Sequence, residues 1–265
     1  MKPWLMLSPL LIALLSTSAH AHGIWLLPSS TVLSAPQFVT FDAAVSNDIF
    51  HFNHRPLPVD QLKIVAPDRS LLAPENVAKG ELRTTFDANL KQTGTYKLQI
   101  VRSGLRARWK EGSEAKRFMG DAEKLRQQLP ANATDVEVNE SASRIETYVT
   151  VGTPSEPPLD QKGLEMRSET HPNDLVAGEQ ITLQFLVDGK PAAGVQIEVV
   201  RGESRYRNDP EPLKLTSGAD GRVRLALERA GMYWLDADIT DNKVSDKLAK
   251  ERSLAYTVTL EVLPK

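Results

Sequence analysis

Residues 180–200, QITLQFLVDGKPAAGVQIEVV, contain the pattern that decides the fold class. Apolar residues occupy alternate positions in both of its hydrophobic runs, which is typical of β-strands with one buried face. Asp188-Gly189-Lys190-Pro191 and Ala193-Gly194 separate the two runs, and glycine readily adopts the positive φ angles of tight hairpin turns. The stretch therefore predicts consecutive antiparallel strands rather than a strand–helix–strand unit.

The same alternation recurs on both sides of this stretch. Towards the carboxyl terminus it predicts strands over residues 222–228, 231–239 and 254–263, and just before it over 164–167. In the first half it predicts strands over residues 37–45, 61–65, 81–90, 95–101 and 145–151. Many short strands divided by regular turn signals predict an all-β chain of two antiparallel immunoglobulin-like β-sandwich domains.

Prolines mark the boundary between the two predicted domains. Residues 154–160 contain three prolines, which favour an extended, semi-rigid spacer. We therefore expect an N-terminal sandwich over residues 22–153, a linker over 154–160 and a C-terminal sandwich over 161–265.

One short helical insertion is predicted over residues 113–129. Ser113 is a suitable N-cap, Phe118 and Leu125 fall near one helical face, and Pro130 ends the segment.

The first 21 residues have the features of a cleavable signal peptide. Lys2 precedes an apolar run over residues 4–15, and Ala19-His20-Ala21 has small residues at both peptidase recognition positions. The run is shorter than the roughly 20 residues needed to cross a bilayer. We therefore expect export to the periplasm, with no direct membrane insertion after cleavage.

Composition excludes several function classes. The 32 Lys and Arg residues nearly balance the 34 Asp and Glu residues, so a nucleic-acid partner is not expected. The sequence has no cysteine, which excludes disulfides, thiolate metal sites and a cysteine nucleophile. It also lacks the G-x-S-x-G, H-E-x-x-H and Walker motifs, and we therefore predict a protein that is not an enzyme.

The histidine at the predicted cleavage site is the sharpest chemical feature. Cleavage after Ala21 makes His22 the first residue, so its free amine and its imidazole could chelate one metal ion through two nitrogens. Cleavage after Ala19 would instead leave His20-Ala21-His22, and a histidine at position three also binds Cu²⁺ or Ni²⁺. Trp25 follows closely in an apolar run that favours burial over fraying.

Three further histidines are candidate ligands. His51 lies between Phe50 and Phe52, whose rings would dry and shape a site, so it is the preferred second ligand. His54 would face away from His51 on a regular strand, but a turn could let both converge. His171, held extended by the following proline, could complete a site between the domains or lie in a surface turn.

Short blocks along the chain resemble the DUF4198 family. They comprise residues 22–29 (HGIWLLPS), 144–152, 172–178 (PNDLVAG), the turns Asp188-Gly189-Lys190-Pro191 and Ala219-Asp220-Gly221-Arg222, and Gly231 with Tyr233-Trp234. The family is similar to periplasmic components of nickel and cobalt uptake systems. The resemblance implies two β-sandwich domains, export and a role in transition-metal handling.

The expected function is therefore that of a periplasmic binding protein for a divalent transition metal, nickel, cobalt or copper. It would take the ion through His22, with His51, His54 and His171 as further candidates, and assist a membrane metal transporter. Two alternatives stay open. One is a non-catalytic adhesion or interaction module assisting an outer-membrane receptor, and the other is a copper oxidoreductase with a histidine brace.

Overall fold

The computed structural model describes residues 23–207 and 211–265. The first half contains β1 (Gly23–Pro28), β2 (Val32–Leu33), β3 (Gln37–Ser46), β4 (Arg55–Pro56), β5 (Leu62–Val65), β6 (Leu71–Leu72), β7 (Glu75–Lys79), β8 (Thr84–Leu90), β9 (Gly94–Glu111), β10 (Glu114–Gly120), α1 (Ala122–Gln128) and β11 (Thr134–Val151). The second half contains β12 (Leu164–Ser168), β13 (Leu175–Val176), β14 (Gln180–Val187), β15 (Lys190–Pro191), β16 (Gln196–Arg201), a 3₁₀ turn (Ser204–Tyr206), β17 (Leu213–Thr216), β18 (Arg222–Ala226), β19 (Gly231–Asp241) and β20 (Arg252–Leu263).

Three sheets enclose two hydrophobic cores. A five-stranded sheet, ordered β1-β3-β8-β7 with β4 beside β3, packs against β5, β9 and β11 of an eleven-stranded sheet. A four-stranded sheet formed by β12, β14, β15 and β18 packs against β16, β19 and β20 of that same eleven-stranded sheet. Fully buried Phe41 and Phe86 stack in the first core, and Phe185 meets Tyr256 edge-on in the second. The predicted all-β, immunoglobulin-like architecture with one short helix is confirmed.

One sheet runs through both halves because β11 pairs with β20. The pairing is parallel, from Glu140 opposite Arg252 to Thr147 opposite Thr259. Parallel pairs also join β2 to β11 and β13 to β20; the other pairs among the described strands are antiparallel. A hairpin turn joins strands that pair antiparallel. β11 and β20 lie more than a hundred residues apart in the chain and are not joined by a hairpin, so they can pair in parallel. The two sandwiches therefore share a continuous hydrogen-bonded sheet.

The helical prediction over residues 113–129 is wrong in its first half. Residues 114–120 form β10, which pairs with β9 through a tight turn at Gly112 (φ 62°). Phe118 packs against a small apolar cluster while Arg117 and Met119 are exposed, which is the two-residue period of a strand. The helix begins only after Asp121, whose side chain accepts a hydrogen bond from Lys124 N at 2.8 Å.

The strand β10, the helix and the outer ends of β9 and β11 form an arm (residues 104–140) with a core of its own. Its buried residues are Leu105, Ala107, Trp109, Leu125 and Val138, and Ala249 from the loop before β20 packs against them. No helix in the described part of the chain is long and apolar enough to cross a membrane.

The proline-rich segment is fastened to the N-terminal sandwich. Ser155 Oγ accepts a hydrogen bond from Thr95 N at 2.9 Å, and the Pro158 carbonyl accepts one from Lys97 Nζ at 2.6 Å. Asp160 forms an ion pair with Arg144 at 2.7 Å. These bonds, rather than the stiffness of the prolines alone, hold the segment.

A buried ionic cluster lies beneath this segment, and its members are Lys97, Arg144, Glu146, Asp160 and Glu165. Two buried tyrosines, Tyr148 and Tyr256, donate hydrogen bonds to Glu146 Oε2 at 2.5 and 2.9 Å. Burial, reinforced by the charge of Glu146, raises the pKa of both tyrosines well above the ordinary value. Both hydroxyls therefore stay protonated and keep donating.

Candidate metal site at the start of the chain

The beginning of the described chain is anchored to both sandwiches. Gly23 pairs with Ser46 in the β1–β3 ladder. Trp25 is fully buried and donates from Nε1 to Ser46 Oγ at 3.0 Å. From the C-terminal sandwich, Trp234 Nε1 donates to the Ile24 carbonyl at 3.0 Å. His22 itself lies outside the described residues, but the residue that follows it is fixed.

The segment after Ser46 is a compact loop. Asn47 N donates to Asn53 Oδ1 at 2.9 Å, and Asn53 Nδ2 donates to Asp48 Oδ2 at 2.7 Å. His51 N donates to the Asp48 carbonyl at 3.1 Å. Phe50 has φ 59°, in the left-handed region that bulky side chains rarely adopt. The chain therefore turns here and does not continue as a regular strand.

The aromatic residues that flank His51 fix the loop against β1. The rings of Phe50 and Phe52 lie 5.5 and 5.2 Å from that of Trp25, and the guanidinium of Arg83 lies 4.4 Å from the Phe52 ring centre. Such contacts contribute about 0.5–1.5 kcal/mol each beyond the burial of area. The His51 backbone is thus positioned by its neighbours on both sides.

His51 lines a cleft between the two sandwiches. The cleft has a volume of about 420 Å³, and Leu27, Phe50 and Met232 are among its apolar walls. His51 is half-buried there, and its ring forms no hydrogen bond with the described residues. Its imidazole nitrogens therefore remain available to a ligand in the cleft.

His54 and His171 lie in different surroundings from His51. His54 is exposed and is not among the described residues that line the cleft. His171 Nδ1 accepts a hydrogen bond from Asn173 N at 3.2 Å, so Nε2 carries the proton and donates to the Ser155 carbonyl at 3.1 Å. Thr95 Oγ1 lies 2.9 Å from the same nitrogen. Both ring nitrogens of His171 therefore have hydrogen-bond partners within the protein, Asn173 for Nδ1 and Ser155 in the linker for Nε2.

Within residues 23–207 and 211–265, no three His, Asp or Glu side chains are grouped so that they could hold a metal ion. The metal-site prediction consequently depends on His22 together with His51.

Sequence reasoning missed the C-terminal side of the cleft. Arg201 at the end of β16 lines it, together with Arg205 and Tyr206 from the segment that follows. The signal available was RGESRYR at residues 201–207, with three arginines and a tyrosine in seven residues.

Comparison with known proteins identifies the family. The family described as a domain of unknown function, DUF4198, matches residues 19–241. The chain belongs to the DUF4198 family. No curated protein matches it.

Several solved structures are similar to this DUF4198 protein at low identity. The D0–D1 domain of intimin is 11% identical and covers 89% of this chain and 96% of its own, with a TM-score of 0.21. The adhesin InvE of Yersinia pseudotuberculosis is 12% identical, with coverages of 89% and 58% and a TM-score of 0.23. The FN1–FN3 domains of chicken CNTN1 are 7% identical, with coverages of 91% and 99% and a TM-score of 0.24. Scores this low do not bear on function.

Proposed function

We propose that this DUF4198 protein is a periplasmic binding protein for a divalent transition metal, taken up as Ni²⁺ or Co²⁺, with Cu²⁺ as a further candidate. It would capture the ion through His22 and His51 and pass it to a membrane transporter or an outer-membrane receptor. The observation that carries the proposal is the anchoring of Gly23 opposite Ser46, the residue from which the His51 loop starts.

The donor set matches these metals. A mature chain that begins at His22 offers its terminal amine and its imidazole, and His51 adds a second imidazole. Nitrogen donors favour Co²⁺, Ni²⁺, Cu²⁺ and Zn²⁺ over Ca²⁺, which prefers oxygen. Because Gly23 pairs with Ser46 and hydrogen bonds within the His51 loop hold that loop, little ordering of the described backbone is needed when the ion binds.

The test is calorimetry on protein whose amino terminus has been verified by mass spectrometry to be His22. Titrations with Ni²⁺, Co²⁺, Cu²⁺ and Zn²⁺ should show binding of one ion for at least one of them. Acetylating the terminal amine or introducing His22→Ala should weaken binding by at least about tenfold, since a chelating nitrogen is lost.

His51→Ala should also weaken binding by about tenfold, the effect of losing one nitrogen ligand. His54→Ala, three residues further along the chain and exposed, is the matched control and should change the affinity less than about twofold. Unchanged affinity after acetylation and in His22→Ala would contradict the proposed site. An exported protein that begins at a residue other than 20 or 22 would remove it altogether.

A further inference from the structure

The arm has one face that the described part of the chain leaves uncovered. Leu105 and Trp109 of β9 are buried in the arm core. Arg106, Arg108 and Lys110 alternate with them along the strand, so these three cations point to the opposite, outer face and are exposed there. The outer face forms an open, shallow groove of about 780 Å³, whose lining includes Arg106, Arg108, Arg117, Met119, Glu137 and Asn139.

The strand register places two guanidinium groups side by side on this face. Arg117 of β10 lies directly opposite Arg108 of β9, and Glu137 of β11 lies on the other side of Arg108. Directly opposed side chains in a sheet have Cβ atoms about 4.5–5.5 Å apart, and like charges in such a pair are destabilising. An anion bound between the two guanidinium groups would remove this repulsion.

Positive charge remains on the outer face after its own ion pairs are taken into account. Two acidic residues pair with two of the cations: Glu137 with Arg108 at 2.5 Å and Asp135 with Lys110 at 2.7 Å. Arg106 and Arg117 are exposed and form no ion pair with the described residues. The face therefore attracts an anionic partner, and it repels the same face of a second copy of this chain.

The spacing of the cations indicates an extended polypeptide as that partner. Arg106, Arg108 and Lys110 occupy every second position of β9, which places them about 6.6–6.8 Å apart along the strand. The side chains on one face of any extended chain repeat at the same distance. Carboxylates at alternate positions of an acidic segment would therefore meet successive cations of the groove.

An exposed apolar side chain next to these cations favours a polypeptide over a simple anion. Met119 lies opposite Arg106 in the β9–β10 ladder and is 75% exposed. The flexible thioether of methionine adapts to differently shaped apolar groups and is frequent at peptide-binding surfaces. Met119 could thus contact an apolar side chain of the segment while Arg106 binds a carboxylate.

We propose that the outer face of the arm docks an acidic, extended segment of a partner protein, with Arg106 and Arg117 binding its carboxylates. Arginine forms charge-assisted, bidentate pairs with carboxylates, and these two guanidinium groups are not engaged in ion pairs within the described chain. This docking surface shares no lining residue with the cleft beside His51. It is therefore independent of the proposed metal binding.

The test is fluorescence anisotropy of a fluorescein-labelled peptide of alternating Glu and Thr residues, titrated with the protein. The peptide should bind in low salt and be released in high salt, which screens exposed charges. Arg106→Gln and Arg117→Gln should each weaken binding about threefold to fivefold, the effect of losing one exposed ion pair. Arg224→Gln, at an exposed arginine on β18, is the matched control and should bind the peptide like the unaltered protein.

A variant with the opposite expected sign sharpens the test. Glu137→Gln removes the acidic partner of Arg108 and should strengthen peptide binding about twofold to threefold. All four substituted side chains are exposed, so each variant should unfold at the same urea concentration as the unaltered protein, and a change in affinity would not reflect lost folding.

A second peptide and a lipid probe complete the experiment. A peptide of the same composition, with all its Glu residues in one block, should bind more weakly than the alternating peptide. Equal affinity for the two peptides, no binding by the unaltered protein in low salt, or equal affinity in Arg106→Gln, Arg117→Gln and Arg224→Gln would overturn the proposal. Sedimentation with vesicles of anionic phospholipid, lost in Arg106→Gln and without any peptide binding, would overturn it in favour of a membrane surface.

Discussion

Replacing Arg144 by methionine tests whether the buried ionic cluster holds the linker. Arg144 Nη1 donates to Gln99 Oε1 at 2.5 Å and to Asp160 Oδ2 at 2.7 Å, and Nη2 donates to the Lys162 carbonyl at 3.0 Å. The side chain is only 4% exposed. Methionine fills much of the same space but makes none of these bonds.

The expected loss of stability follows from the charges that remain buried in Arg144→Met. Glu146 and Glu165, 3% and 2% exposed, keep their charges in Arg144→Met, with Lys97 as the one cation left in the cluster. Removing one partner of a buried ion pair typically costs about 3–5 kcal/mol. The matched control is Arg108→Met on the arm, where Arg108 and its partner Glu137 are 74% and 48% exposed. An exposed pair of this kind contributes about 0–1 kcal/mol.

The dependence on pH gives a second, independent readout. In the unaltered protein, burial acts to raise the pKa of Asp160, but the hydrogen bond from Arg144 and the charge of Lys97 outweigh it, so the pKa is lowered. Its stabilising contribution is therefore complete above the unfolded value and is lost as the pH falls through the lower folded value. In Arg144→Met, Asp160 loses the hydrogen bond that helps to lower its pKa. The penalty of the substitution should therefore be smaller at about pH 3 than at about pH 7.5.

Urea unfolding followed by tryptophan fluorescence and circular dichroism at both pH values measures these differences. If Arg144→Met costs no more than Arg108→Met, or if its penalty is equal at the two pH values, the cluster does not stabilise the linker as described.

Three further predictions concern separate parts of the molecule. Burial raises the pKa of Asp236 to about 6, so the stability that its protonated form contributes is complete below the unfolded pKa and is lost as the pH rises through about 6. Asp236→Asn should therefore raise the unfolding free energy by about 1–3 kcal/mol at pH 7.5 and leave it unchanged at pH 4. Leu125→Ala removes a fully buried side chain from the arm core and should lower the unfolding free energy by about 2–5 kcal/mol. Protection from hydrogen exchange should be lost first in the arm, and an equal loss of protection throughout the molecule would contradict an independent arm core. Trp234→Phe deletes the hydrogen bond to the Ile24 carbonyl. It should lower the unfolding free energy in urea by about 1–2 kcal/mol and weaken nickel binding. A nickel affinity equal to that of the unaltered protein would show that this hydrogen bond does not position the site.

The strands that the sequence predicted well are those whose pattern is local. Polar and apolar residues alternate from Gln180 to Phe185, and the predicted strand over residues 180–187 forms β14 with those bounds. The 18-residue strands β9 and β11 were predicted only over residues 95–101 and 145–151, because their outer halves are buried by a helix and a loop from elsewhere in the chain. The same arm explains the wrong start of the helix: residues 114–120 carry helical spacing by chance but pair with β9.

The sequence indicated which residues surround His51 but not the geometry in which the chain holds them. Aromatic neighbours correctly indicated that His51 lies in a shaped environment, yet the turn at Phe50 depends on contacts with Trp25, 25 residues earlier in the chain. His171 binds Thr95, which lies 76 residues before it, and no local pattern indicates such a partner. Arg205 was overlooked because arginines in a loop are usually solvated.

The shared sheet has a consequence for how the cleft works. Its walls come from different sandwiches, but β11 and β20 join those sandwiches by a ladder eight residues long, and Trp234 ties the chain start across the same junction. A hinge that opened the cleft would have to break this ladder or the buried ionic cluster beside it, both of which are largely shielded from water. Binding by large domain closure is therefore disfavoured in this fold. A ligand of this cleft would instead enter a site formed in advance.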